Sequence, residues 1–326
     1  MKSELETSKT LISESSQRRQ WLLGLSVVFL FFVFIVYYVS VHWVEFCSLW
    51  HFSYRETTLA GFFLFIGFLL NCYQINLFLN KFGVRLGLFE LIFATHGMML
   101  GNMVIPMRGG SGGLAIYLKK AHQLNYGKFA VIYGGTAILV GLVNAVMGLI
   151  ALSFLAINHQ IFESTLTAVT ILLLIACIYL TLFPPRLKKS GSSGIINLLG
   201  RLNESWVSLS QDFSLMIKVT VSLIIITLTQ TLALCFIYSA ISRPLSFSAT
   251  LITSSLGAVA NLIPITPGSL GVFDTVIIEV PRLFGLDMAA AIVATALFRI
   301  LSFAICFVIG LPGLYCFFNV TRSRKP

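Results

Sequence analysis

Two short stretches of the chain repeat each other, and both contain residue types suited to gripping an anion. Ile105-Pro106-Met107-Arg108-Gly109-Gly110-Ser111-Gly112-Gly113 matches Ile263-Pro264-Ile265-Thr266-Pro267-Gly268-Ser269-Leu270-Gly271 at five of nine positions, at a constant offset of 158. An asparagine precedes each, Asn102 and Asn261. A glycine-rich turn that opens a helix leaves backbone N–H groups without intrahelical partners, and these, with a serine hydroxyl beside them, suit an anion. Arg108 adds a cation inside the first stretch, while the second is followed by Asp274, Glu279 and, further on, Arg299. The residue types point to binding by Arg108, Gly110, Ser111, Gly113, Gly268, Ser269, Gly271, Asp274 and Arg299. The plainer alternative is a pair of tight turns whose glycines serve close packing.

The elements that must position these residues are apolar helices. Of 326 residues 57% are hydrophobic and 10% charged, where a soluble domain carries about 25% charged residues. A water-soluble enzyme is thereby excluded. The formal charge of +10 does not indicate nucleic acid, because the charges punctuate apolar runs and form no continuous basic face. Five uncharged runs, 21–41, 57–80, 129–157, 164–183 and 219–242, meet the length of about 20 residues needed to cross a membrane. A sixth region, 288–320, is interrupted by Arg299, and its later part, 300–320, is long enough to span alone. The run at 21–41 reads as a retained signal anchor. Two shorter apolar segments, 91–105 and 250–263, stop at Pro106 and Pro264, and segments of that size are more often re-entrant than spanning.

Charge placement chooses between topologies. If every segment crosses, positive charges divide almost evenly between the two sides, against the positive-inside rule. If the two short segments enter and leave on one side, the first from the cytoplasm and the second from outside, 18 of the 22 Lys and Arg become cytoplasmic. Only Arg55, Arg243 and Arg282 then lie outside, with Arg299 in the membrane. The expected fold is an all-α polytopic membrane protein with six full spans, two re-entrant hairpins and both termini cytoplasmic. Its domains are a tail (1–20), one transmembrane domain (21–320, halves 21–157 and 164–320) and a second tail (321–326). The halves start on opposite sides, giving an inverted-topology repeat, whose short Gly/Pro-interrupted segments point to a binding site.

Other polar residues receive lesser readings. The six cysteines are scattered, with no zinc or disulfide spacing, and read as small packing residues. Arg299 needs an anionic partner, which Asp274 or Glu279 can supply. Glu90 and His96 lie six apart, on different helix faces, and a proton relay between them is one reading. Asn71 and Gln74 at i and i+3, with Gln230 and Thr231, read first as interhelical hydrogen-bonding groups. Lys119 and Lys120 read as contacts to anionic headgroups, and 195–213 as a surface amphipathic helix.

At the two Gly-rich stretches the sequence resembles the transmembrane region of the lysylphosphatidylglycerol synthase family of flippase-like integral membrane proteins. The run from Leu262 through Pro264, Pro267, Gly268 and Gly271 to Asp274, followed by Ala296-Leu297-Phe298-Arg299, carries the resemblance. The block from Ile105 and Arg108 through Ala115 to Lys120 extends it, and it covers nearly the whole chain from Trp21. Two departures stand out: Asp274 occupies a usual glutamate position, and an acid–arginine pair common after the first hairpin is absent from the stretch Tyr133 to Ile138. The two-domain members add a soluble aminoacyltransferase, which this sequence lacks, so lysyl-lipid synthesis by this chain is not expected. The resemblance implies lipid transport in a bacterial or archaeal cytoplasmic membrane, with anionic or phosphate-bearing lipids as partners. The alternatives are a membrane-embedded enzyme or accessory protein in lipid or lipid-linked glycan biosynthesis, acting with a biosynthetic partner protein, and a scaffold. No H-E-x-x-H, Ser/His/Asp or Walker A pattern is present, so no cofactor, metal or enzymatic activity is expected.

Overall fold

The computed structural model describes residues 40, 52–105, 107–159, 163–182, 211–263 and 267–322, and among these it contains helices and no strand. The expected first span at 21–41 except residue 40, nearly all of the surface helix expected at 195–213, and Pro106 and Pro264 lie outside the described residues. The helices are α1 (Tyr54–Lys81), α2 (Leu88–Val104), α3 (Gly109–His122), α4 (Tyr126–His159), α5 (Ser164–Leu182), α6 (Phe213–Ala240), α7 (Phe247–Ala260), α8 (Val272–Arg282) and α9 (Met288–Arg322), with a short 3-10 turn at Pro267–Ser269. Of these α1, α4, α5, α6 and α9 are long and apolar enough to cross a membrane. Arg299 does not interrupt the last of them: α9 runs as one helix through it, so the later part is not a separate span. Side chains fix several starts, as Asp212 accepts from the Leu215 N–H at 3.0 Å and Ser246 from the Ala249 N–H at 3.2 Å.

The order long, short, short, long occurs twice, in α1 to α4 and in α6 to α9. Both pairs of short helices fold back as antiparallel hairpins. In the first, Gly101 lies against Gly110 near the break, while Tyr117 Oη donates to Glu90 Oε1 at 2.6 Å near the open end. In the second, Gly257 on α7 meets Phe273 and Ile277 on α8, and Arg243 pairs with Asp287 at 3.4 Å across the open end. Helix α2, 17 residues long, rises about 25 Å, short of the roughly 30 Å hydrocarbon core.

Helices α1 and α6 lie antiparallel. The Ser53 N–H donates to Ala240 O at 3.2 Å at one end, and Lys81 pairs with Asp212 at 2.5 Å at the other. The first hairpin opens toward the Lys81 end, where Lys128 lies over the Phe82 ring, and the second opens toward the Ala240 end. The hairpins thus enter the bundle from opposite ends and meet by their tips. Helix α2 packs on α9, and α7 packs on α4. The first seam is backbone against backbone: a Cβ on Gly310 would sit 2.6 Å from His96 O, and one on Gly97 would sit 3.0 Å from Gly313 C. Small residues give helices close van der Waals contact where lipid tails offer no hydrophobic driving force.

Candidate functional site

Between the hairpin tips and the helices around them lies a cavity of about 280 Å³. Its polar wall comes from elements far apart in sequence: Asn71 and Gln74 on α1, Tyr133 and Thr136 on α4, Gln230 on α6, and Ser302 on α9. Arg108, Gly268, Ser269 and Arg299 also line it, as do the asparagines that precede the two breaks, Asn102 and Asn261.

The first break is built from left-handed backbone. After Ile105, which is extended, Met107 and Arg108 both have φ of 55°, an uncommon conformation for residues other than glycine. Gly110 is required on the far side, because a Cβ there would collide with Met98 O. The break is closed by Asn102, whose Nδ2 donates to Ser111 Oγ at 3.0 Å and whose Oδ1 accepts from the Ser111 N–H at 2.9 Å. Ser111 is therefore engaged inside the hairpin and off the cavity. Gly110 and Gly113 also do not reach the cavity surface. Arg108 crosses to the other hairpin instead, where Nη2 donates to Asn261 O at 2.5 Å.

The second break is organised around charge. Asp274, 2% exposed, accepts from Arg299 Nε at 2.8 Å through Oδ1 and from the Gly271 N–H at 3.0 Å through Oδ2. Arg299 Nη1 donates to Gly268 O at 2.6 Å, and the guanidinium stands 4.8 Å over the Phe273 ring. Gly271, with φ of 92°, precedes α8, and like Asp274 it sits off the cavity surface. Of the two acids expected to reach Arg299, Asp274 does so, while Glu279 pairs with Arg282 at 2.6 Å. Ser269 Oγ is within reach of two carbonyls, Asn261 O at 3.2 Å and Ile263 O at 3.3 Å. Gly268, with φ of 58°, lies against the Met103 backbone, and this is where the tips touch.

Among the described residues, three that line the cavity each carry a buried polar atom with no hydrogen-bond partner: Gln74 Nε2, Ser302 Oγ and Arg299 Nη2. The last is 2.8 Å from Asp274 Oδ1, an ion-pair contact, but at an angle that makes no hydrogen bond. Ser302 carried no signal except its place one turn beyond Arg299. Asn71, Gln74 and Gln230, first read as interhelical hydrogen-bonding groups, are cavity residues; Thr231 is not, and its hydroxyl donates to Thr227 O at 2.8 Å.

Glu90 and His96 do not form a relay. His96 is fully buried beside Phe68, with Nδ1 2.9 Å from Ile92 O, whereas Glu90 sits at the hairpin's open end with Tyr117 and, at 2.6 Å, His122. Partial burial pushes the Glu90 carboxyl up, but hydrogen bonds from Tyr117 and His122, the His122 charge and the Gly87 N–H together hold it below its ordinary value. Among the described residues no cluster of three His, Cys, Asp or Glu could hold a metal ion.

Residues 21–310 match the family model described as the lysylphosphatidylglycerol synthase TM region. No curated protein matches the chain.

Proposed function

The chain belongs to the lysylphosphatidylglycerol synthase transmembrane-region family, and from that premise we propose that it carries a polar, phosphate-bearing lipid headgroup between the two leaflets. It is an integral membrane protein, and its family places it in lipid biosynthesis or transport. The observation that carries the transport reading is the cavity at the meeting of the two tips, lined by Arg108 and Arg299.

In this reading the protein has six spans and two re-entrant hairpins, and α1 to α4 and α6 to α9 form an inverted-topology repeat. Exchanging α1 with α6, α2 with α7, α3 with α8 and α4 with α9 turns the α2–α9 packing into the α7–α4 packing, as such a repeat requires. The hairpins' opposite entry supports it too. Non-helical backbone at membrane depth is tolerated where protein or a water-filled cavity surrounds it, and both breaks adjoin the cavity. Both termini are cytoplasmic, as the positive-inside count favours, and the membrane in this reading is a bacterial or archaeal inner membrane.

Transport follows from alternating access: one hairpin and its packed helices rock against the other, and the cavity faces each leaflet in turn. Arg108 and Arg299 both donate to carbonyls at the breaks, Asn261 O and Gly268 O. A phosphate is a stronger, charged acceptor and can replace either carbonyl. A headgroup that takes Arg108 from Asn261 O loosens the contact between the tips, and one that takes Arg299 from Gly268 O loosens the second break. The movement needs no bond to break, so the protein is not an enzyme in this reading.

The test is reconstitution of the purified chain into vesicles carrying tail-labelled phospholipids, with bleaching of the outer leaflet by a membrane-impermeant reductant. Loss of the inner-leaflet label, with lipid mass unchanged in a parallel sample that receives no reductant, is the expected result. A changed lipid mass would support the enzyme reading, and protection of the inner leaflet equal to that of empty vesicles would overturn transport.

A further inference from the structure

We propose that the headgroup taken by this cavity is a net-anionic phosphodiester bearing free hydroxyls and no amine, gripped by a donor face made of Gln74, Ser302 and Arg299. This rests on the transport reading and narrows its cargo.

The first observation is the orphaned donors. Gln74 and Ser302 are each 3% exposed, and Gln74 Nε2 and Ser302 Oγ make no hydrogen bond. Buried polar groups nearly always have partners, and exceptions in a cavity mark where a ligand supplies them. Arg299 and Ser302 are one turn apart on α9, α9 packs against α1, and Gln74 on α1 lines the same cavity. An amide NH2, a guanidinium nitrogen and a hydroxyl offer protons together. What complements them is a group with several acceptor oxygens and negative charge, which a phosphodiester has.

The second observation is the absence of a carboxylate from the cavity surface among the described residues. Asp274, the nearest acid to the Arg299 guanidinium, has one oxygen on Arg299 and the other on the Gly271 N–H. An ammonium group would meet two guanidiniums, Arg299 already paired with Asp274 and Arg108 without an acid, and no free carboxylate among the described residues. It would lose its hydration without replacement, an expensive state for a charge.

The third observation is the amide lining. Asn71 uses its NH2 on Gly67 O at 2.9 Å, which leaves Oδ1 as an acceptor, and Gln230 and Thr136 line the same cavity. Amides and hydroxyls pair with the hydroxyls of a glycerol or sugar headgroup as donors and as acceptors. Arg108 offers the second cation, and no described carboxylate pairs with it.

The experiment uses the full chain in phosphatidylcholine vesicles containing one tail-labelled lipid at a time: phosphatidylglycerol, phosphatidylinositol, phosphatidylethanolamine or lysylphosphatidylglycerol. Thermal unfolding of the detergent-solubilised protein with each lipid, and with soluble glycerol 3-phosphate, gives an independent measure of binding. The two hydroxylated anionic lipids are expected to cross about tenfold faster than the two amine-bearing ones. Gln74→Leu and Ser302→Ala should each slow phosphatidylglycerol about tenfold, the size of one lost hydrogen bond to a charged group, without lowering unfolding temperature in the absence of lipid. Gln230→Glu, which places a carboxylate on the cavity wall, should narrow or reverse the preference.

Equal movement of all four lipids, or faster movement of the amine-bearing pair, would overturn the headgroup class and leave transport standing. Selective stabilisation by phosphatidylglycerol, abolished by Gln74→Leu, with no movement of any lipid would overturn transport and leave the headgroup class standing. Stabilisation by glycerol 3-phosphate equal to that by phosphatidylglycerol would make the ligand a soluble phosphate and overturn the lipid assignment. Neither movement nor stabilisation by any of them would overturn both.

Discussion

At the first break, the third residue of the new helix is Ser111, and its partner is an amide, Asn102; at the second, the third residue of α8 is Asp274, and its partner is a guanidinium, Arg299. The two residues hold the same place in their helices, although the repeat aligns Ser111 with Ser269, and their chemistry differs. A neutral pair closes the first hairpin and frees its arginine, Arg108, to reach the opposite tip. At the second hairpin the arginine comes from α9, is paired with Asp274 and holds the break through Gly268 O. The comparison teaches that one of the two cavity arginines is fixed by structure, while the other hangs on a single carbonyl contact across the tips.

That difference can be broken experimentally, beginning with its charged side. Arg299→Ala leaves Asp274 buried without its cation and should cost about 3–5 kcal/mol, enough to remove the folded peak in size-exclusion chromatography. Exchanging the charges, Asp274→Arg with Arg299→Asp, separates packing from function: recovered folding without recovered lipid movement assigns the pair a role beyond packing. Gly110→Ala forces a Cβ into Met98 O and should cost about 1–3 kcal/mol, read as a lowered unfolding temperature.

On the neutral side the effects are smaller. Ser111→Ala deprives Asn102 Nδ2 of its hydroxyl partner and should destabilise by about 1–2 kcal/mol, against about 0.5–1 kcal/mol for Ser269→Ala, whose hydroxyl only reaches carbonyls at 3.2 and 3.3 Å. An equal loss in both would erase the contrast between the breaks. Arg108→Gln should leave unfolding temperature nearly unchanged and slow lipid movement about tenfold, because Arg108 is the cation without a carboxylate.

The smallest effect is at the open end of the first hairpin. The Glu90 carboxyl is held below its ordinary 4.5, so its link to Tyr117 and His122 contributes fully above that value and is lost as pH falls through the lowered one. Thermal unfolding followed from pH 7 down to about pH 3 should show this loss in the wild type, and Glu90→Gln should flatten it.

The sequence announces the helices because membrane crossing demands length and apolarity, which are local properties. The short segments were legible for the same reason, within three residues of where α2 and α7 start and stop. Arg299 pointed to its acid because a charge at that depth needs one, although spacing did not choose between Asp274 and Glu279. The cavity wall was less legible. Gln74 and Ser302 are separated by most of the chain, and each alone resembles a residue that links neighbouring helices. Only the docking of α1 against α9 brings them to one cavity. Ser111 deceived in the opposite sense: its position at a helix start suggested an anion contact, but Asn102, nine residues earlier, takes its N–H and its hydroxyl.

The seams among these helices bear on how the protein can be divided. Helix α1 lies on α6, α2 on α9 and α4 on α7, so the main partner of each of these six helices belongs to the other half, while α3 and α8 pack chiefly on their own hairpin partners α2 and α7. A chain cut between Leu182 and Gln211 would yield two fragments, each presenting bare glycine grooves or half a cavity to lipid. Neither fragment is a smaller version of the whole. Produced together they are complementary pieces that must recognise each other to fold.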